Sequence, residues 1–222
     1  MRSPFSPFHL FAFILLLIFL LAFIQLGLVS LAFEKLGLST AQGMLLLFAS
    51  LLGSSVNLPL MRIRAERPEP DLPEFRLHSL LRMPLLPFTG YTQIAVNAGG
   101  CLVPLVFSAS LIHRFPLSWP EVLLAVGMVA IICHITSRPV AGIGIGMPPL
   151  VAPLAAAIVA VLVDREMAAP LAYICGTLGV LVGADLLRLK DVASLGTPMA
   201  SIGGAGTFDG IFLTGIVAVL LT

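Results

Sequence analysis

Apolar positions in this chain do not alternate with polar ones; they fill long unbroken runs separated by short charged or proline-rich stretches. Seven runs emerge. The first covers about 8–33 and ends at Glu34-Lys35, and the second covers about 39–61 and ends at Arg62-Ile63-Arg64. The third, about 93–112, closes at His113-Arg114, and the fourth, about 120–137, lies between Pro120 and Arg138. The fifth, about 140–163, closes at Asp164-Arg165-Glu166, the sixth, about 168–187, at Arg188, and the seventh covers about 207–222. About 20 apolar residues in a helix cross a hydrocarbon core of about 30 Å. The pattern therefore predicts an all-α, polytopic helical membrane protein, one membrane domain over 1–222 with seven transmembrane helices. The first run is 26 residues, longer than the apolar core of a signal peptide, and is read as a retained span. The fifth opens on Ala141-Gly142-Ile143-Gly144-Ile145-Gly146-Met147-Pro148-Pro149. Its glycines lower helix propensity and its prolines remove backbone donors, so a kinked helix is expected there.

Composition agrees with the pattern. Of 222 residues, 59% are hydrophobic and 10% charged, with a mean hydropathy of +1.08, against about 25% charged in soluble domains. The basic residues are unevenly spread. Arg2, Arg62, Arg64, Arg67, Arg76, Arg82, Arg138, Arg188 and Lys190 fall at the N-terminus or after even-numbered runs, and only Lys35, Arg114 and Arg165 fall on the other side. Nine against three sets the N-terminus inside and the C-terminus outside, in the inner membrane of a cell. The long loop 62–92, with five arginines and five prolines, is then cytoplasmic. Within it, Leu77, Leu80 and Leu81 recur at helical spacing among basic residues. That suits either an interfacial helix on the inner leaflet or a solvated linker. Membrane lipid is the expected surround, and a net charge of +1 gives nothing for nucleic acid to recognise.

Charge inside the runs changes the picture more. Of eleven acidic side chains, only Asp185 and Asp209 fall within apolar segments, the others lying in connecting stretches or at span ends. A carboxylate in hydrocarbon costs about 2.5–3.5 kcal/mol on insertion scales and persists where it has a partner or a task. Asp185 lies three residues before Arg188, near the inner end of the sixth span. Asp209 lies 13 residues before Thr222, about 20 Å of helix from the outer face and so roughly 10 Å below the inner one. Both acids thus belong to the inner half of the membrane, on spans joined by a short loop. A span beginning at Thr207 is too short for the core, so Ser201-Ile202-Gly203-Gly204-Ala205-Gly206 is expected to dip into the membrane as extended or re-entrant chain. Gly203, Gly204, Gly206 and Gly210 permit positive φ and close backbone approach, which lets the strip either receive an extended peptide or pack tightly. Gly206, Gly210 and Thr214 also form a small-residue face, and Gly176, Gly179 and Gly183 form another on the sixth span, turned away from Asp185.

Two carboxyls within a few ångströms share one proton and titrate as a unit. The ionised member can activate water while the protonated one donates to a carbonyl oxygen. That is the apparatus for metal-free peptide-bond hydrolysis. No competing set is present: there is no GxSxG, HExxH, P-loop or dinucleotide fingerprint, and His9, His78, His113 and His134 are scattered. Cys101, Cys133 and Cys175 stand singly in apolar runs and read as small hydrophobes, so no metal, cofactor or disulfide is expected.

An aspartate near the inner end of one span, followed by a glycine-rich entry and a second aspartate in the next, resembles the GxGD intramembrane aspartyl proteases, a group that includes presenilin and signal peptide peptidase. The likeness covers roughly residues 168–222. The family's Tyr-Asp corresponds to Ala184-Asp185, and its Gly-x-Gly-Asp to Gly204-Ala205-Gly206-Thr207-Phe208-Asp209, with two residues inserted; no Pro-Ala-Leu tripeptide occurs. The chain also resembles small prokaryotic membrane proteins that end in a similar glycine-rich segment. What the GxGD resemblance implies is an aspartic endopeptidase with Asp185 and Asp209 as catalytic residues and a transmembrane peptide or protein as substrate. Two other classes stay open. A proton- or cation-coupled transporter would use the same carboxylates with Asn57, Asn97, Gly99-Gly100 and the irregular fifth span. A non-catalytic assembly protein would satisfy each aspartate from a neighbouring helix.

Overall fold

The computed structural model describes residues 13–18, 27–65, 90–140, 144–194, 197, 199–204 and 210–222. Residues 13–18 are helical. Helix α1 (Leu28–Lys35) starts behind Gly27, whose φ of 76° breaks the preceding chain, and α2 (Thr40–Gly53) starts behind a Ser39/Gln42 capping box, bent by 102° from α1. The second run then departs from expectation. Instead of continuing as helix to Met61, the chain turns at Ser54-Ser55 and forms strand β1 (Asn57–Arg64). Pro59 cannot donate to a helix and is tolerated in an outer strand, where a bulge lies between Pro59 and Met61.

The third run departs likewise. Its first residues form β2 (Tyr91–Asn97), with Thr92, Ile94 and Val96 on one face. The β-branched alternation favours strand. A π-helical turn, Ala98–Leu102, then leads into α3 (Val103–Arg114). Helix α4 (Trp119–Thr136) matches its run closely, set by the Ser118/Glu121 capping box. The fifth run is not a kinked helix: β3 (Arg138–Val140) and β4 (Gly144–Gly146) form an antiparallel ribbon, and α5 (Val151–Val163) begins after the prolines. Helix α6 (Ala168–Val180) continues as a second π-helical turn, Leu181–Leu186, then a 3₁₀ turn at Asp191–Ser194. Strand β5 (Met199–Ile202) and α7 (Gly210–Leu221) complete the described chain.

The expectation of an all-α fold is therefore corrected. A three-stranded sheet in the order β1-β2-β5 pairs β1 with β2 antiparallel and β2 with β5 parallel. Hydropathy missed these strands because short apolar runs read alike as strand or helix. Nor do the described residues present seven full-length spans. Two helices, Trp119–Thr136 and Ala168–Leu186, are long and apolar enough to cross a membrane, and the bent α1–α2 pair makes a third if counted as one span. These mark a membrane protein. Their outer faces agree, with Leu45, Ile135 and Leu162 each more than two-thirds exposed, an arrangement that lipid rather than water would solvate.

Helix α6 is the axis, packed against α3, α4, α5 and α7. Small residues make this possible. Gly176 lies against Ala156, and Gly179 and Gly183 lie against Val129 and Ala130 of α4. Gly179 and Gly183 thus face α4 while Gly176 meets α5, with Asp185 turned elsewhere, as its helical spacing predicts. Ser108 and Thr177 hydrogen-bond at 3.0 Å across the buried α3–α6 contact. At one end of the bundle Lys35 Nζ donates to Val219 O at 3.4 Å, joining the ends of α1 and α7. The strands gather at the other end, where α2, α4 and α6 arrive and α3, α5 and α7 depart.

Candidate active site

Asp185 lies in the π-helical turn that ends α6, half-buried, and its Oδ2 accepts the backbone N–H of Gly203 at 2.7 Å. Gly203 follows directly on β5 with φ +84°, and Gly204 has φ +98°. The Gly204 amide donates to Ser201 O at 3.3 Å, closing a turn. A side chain at Gly203 would press on Cys101 and on the Gly100 carbonyl carbon, each 2.7 Å from a Cβ built there. Glycine is therefore required twice over, for its φ and for its fit against the first π-helical turn. Gly203 sits between two π-helical turns, one holding Asp185 and the other packed on its α-carbon. Such insertions in helices often mark functional sites.

Beside this contact is a cavity of about 450 Å³. One wall is β5, all four of whose residues line it. Val180 of α6, Ala184 and Asp185 of the π-helical turn that follows it, Ile211 and Thr214 of α7, Pro153 of α5 and Ile145 of β4 supply much of the remainder. The lining is mostly apolar, with a carboxylate and the hydroxyl residues Thr197, Ser201 and Thr214 as its polar points, the composition usual for ligand pockets. Strand β5 is an outer strand of its sheet, and among the described residues its second backbone edge has no strand partner.

Of the residues singled out by sequence, Asp185, Gly203 and Gly204 come together here, and Gly210 is the first residue of α7. Asp209 and Gly206 lie outside the described residues. Among the described residues no group of three His, Cys, Asp or Glu side chains could hold a metal ion.

Two features were named in the sequence without their partners: Asn57 and Asn97, weighed there as transporter residues, and Arg188. Asn57 and Asn97 are direct partners across β1 and β2. The buried Asn97 donates from Nδ2 to Ser54 O at 2.7 Å and to Asn57 Oδ1 at 3.1 Å, and its Oδ1 accepts from Gly100 N at 2.8 Å. Ser201 Oγ donates to Asn57 Oδ1 at 2.7 Å, tying β5 to β1. The Asn-Ala-Gly-Gly sequence after an alternating strand was the available signal for the cap. Arg188, read only as the end of a span, in fact caps α4. Its Nη2 donates to His134 O and Ser137 O, both at 2.8 Å, its Nε to Ser137 Oγ at 3.3 Å, and its Nη1 to Asp191 Oδ2 at 2.9 Å. A guanidinium suits the orphan carbonyls at a helix C-terminus in both geometry and charge. It fixes the segment carrying Asp185 to α4.

The family described as "Protein of unknown function (DUF1614)" matches residues 51–221 of the chain. No curated protein and no solved structure matches it.

Proposed function

The chain belongs to the DUF1614 family, and we propose that it is an intramembrane aspartyl protease that hydrolyses peptide bonds of membrane-embedded substrates through Asp185 and Asp209. The observation that carries the proposal is the Asp185 carboxylate on the wall of a largely apolar cavity whose other wall is the outer strand β5. Segment 205–209 connects Gly204 to α7, and both Gly204 and Ile211 line that cavity. Asp209 is two residues from Ile211, so chain length alone keeps their α-carbons within about 7 Å.

In this mechanism an extended substrate segment pairs with the open edge of β5, which presents its peptide bonds to the carboxylates. One aspartate, ionised, takes a proton from water as the water oxygen attacks the carbonyl carbon. The other, protonated, donates to the carbonyl oxygen, giving a gem-diol. The first then passes the water-derived proton to the leaving nitrogen as the C–N bond breaks, and the second regains its proton from a gem-diol hydroxyl. The apolar walls keep the charges poorly hydrated and so strengthen each interaction.

The proposal includes seven membrane crossings with the strand end inside. The crossings α5 and α7, at 13 and 12 residues, span only about 18–20 Å as helix. Strands β4 and β5 contribute to the depth, which membranes tolerate where such backbone is buried in protein or lines a cavity. Arg62, Arg64, Arg138 and Arg188 all lie at the strand end, consistent with the positive-inside rule.

The test is cleavage of labelled transmembrane peptides by purified protein in liposomes, with mass mapping of products. Aspartate-dependent cleavage is the expected result. Aspartate-dependent cation uptake without cleavage would move the assignment to the transporter.

A further inference from the structure

We propose that Asn57 is a positioning residue for the Asp185 site, acting through Ser201 to hold β5 in register; this rests on the function proposed above, because the site it serves is the same carboxylate. Strand β5 has four residues paired on one side only, in the parallel mode with β2: Gln93 with Met199, Ile94 with Ala200, Ala95 with Ser201 and Val96 with Ile202. So short a ladder specifies its register weakly, and a slip of one residue turns every side chain to the opposite face. It would also carry Gly203 about 3.3 Å along the strand, enough to break its 2.7 Å bond to Asp185.

Side chains fix the register instead. At the start of the strand Thr92 Oγ1 donates to Thr197 O at 2.6 Å. At the end nearer Asp185, Ser201 Oγ donates to Asn57 Oδ1 at 2.7 Å, reaching across β2 to β1. Asn57 is itself held by the buried Asn97, which is anchored to Ser54 O of the α2 terminus and to Gly100 N of the first π-helical turn. That turn is locked on α2 in its own right. Ser50 Oγ donates to Gly99 O at 2.9 Å, and Gly99 lies so close to the α2 backbone that no side chain fits. It is also the surface on which Gly203 rests. One frame therefore supports Gly203 directly and, through Asn97, Asn57 and Ser201, sets the strand that delivers it to Asp185. The Asn57 side chain acts here as an acceptor of two bonds, from Asn97 and from Ser201, and the second ties β1 to β5.

Two measurements on the full-length protein, labelled with ¹⁵N-glycine in lipid nanodiscs, test this: hydrogen exchange of the Gly203 amide and the rate of peptide cleavage. Asn57→Leu and Ser201→Ala should each speed Gly203 exchange about tenfold, the loss of roughly one hydrogen bond. Exchange at Gly127 in α4 should stay unchanged, and kcat should fall with KM little altered. Ser201→Thr, which keeps the hydroxyl, should restore wild-type values. Unchanged Gly203 exchange in both variants would overturn the proposal. So would a rise at Gly127 equal to that at Gly203, because it would make Asn57 a general stabiliser. The expected exchange pattern in a protein that cleaves no peptide, wild type included, would uphold the positioning role and count against the protease.

Discussion

The amide of Gly203 and the carboxylate of Asp185, 18 residues apart in sequence, meet at 2.7 Å where two π-helical turns approach each other. The contact joins the end of the central helix to the outer strand of the sheet. It depends on glycine for both its conformation and its clearance.

Gly203→Ala should therefore be costly. A left-handed conformation costs a side chain about 1–2 kcal/mol, and forced contact with Cys101 and Gly100 adds about 1–3 kcal/mol. Gly90 has nearly the same φ, +80°, but among the described residues nothing lies within 4 Å of a side chain there. Thermal unfolding in detergent should show Gly203→Ala losing clearly more stability than Gly90→Ala. Equal losses would mean that the close approach to Cys101 is absent.

Packing on α6 makes a second contrast. Gly183→Ala would drive a methyl into the Ala130 carbonyl of α4, whereas Gly127 in α4 has nothing within 4 Å. The first should destabilise by about 1–3 kcal/mol. Gly127→Ala should be neutral or stabilising by up to about 1 kcal/mol, because alanine favours helix. Unfolding of the two variants, followed by circular dichroism, checks the difference in sign.

Arg188 should resist conservative replacement. Removing its donors strands the carbonyl of the buried Ser137, at about 1–3 kcal/mol for a buried unsatisfied group, and leaves His134 O with the Ser137 hydroxyl alone, at 3.1 Å. Lysine cannot reproduce a fork that serves His134 O, Ser137 O and Asp191 together. Arg188→Lys and Arg188→Gln should lower the unfolding temperature to a similar extent, and a wild-type melting curve for Arg188→Lys would show that charge alone suffices.

Topology is open to direct measurement. The proposed orientation predicts that a reporter active only outside the inner membrane works when fused after Thr222 and fails when inserted in loop 62–92. The reverse pattern would place the strand end, and the candidate site, outside.

What was legible in the sequence followed from strong local signals. Pro120 and Arg138 bracketed the run that becomes α4, and the isolation of Asp185 and the run of glycines after Ser201 singled out residues of which the fold brings Asp185, Gly203 and Gly204 together, with Ser201 and Ile202 extended as expected. The strands were hidden for a physical reason. Leu58, Leu60 and Ile63, or Ile94 and Val96, raise hydropathy in the same way whether they belong to a helix or a sheet. Pro59 and the β-branched alternation in β2 were the contrary signals, diluted in windows long enough to find spans. The Asn57–Asn97–Ser201 network could not be foreseen, because it depends on a register between segments 40 and 144 residues apart. Arg188 was missed because a basic residue after an apolar run is read as a membrane boundary before it is read as a cap.

The most direct test of the central claim is peptide cleavage in liposomes by wild type, Asp185→Asn, Asp209→Asn and the double variant, each first shown to be folded. Asparagine keeps the shape of the side chain and removes a charge that is costly in hydrocarbon, so folding should survive. A dyad acts as a unit, so each single substitution should abolish cleavage and the double variant should be no worse than either. Cleavage retained by either single variant would contradict the two-aspartate mechanism.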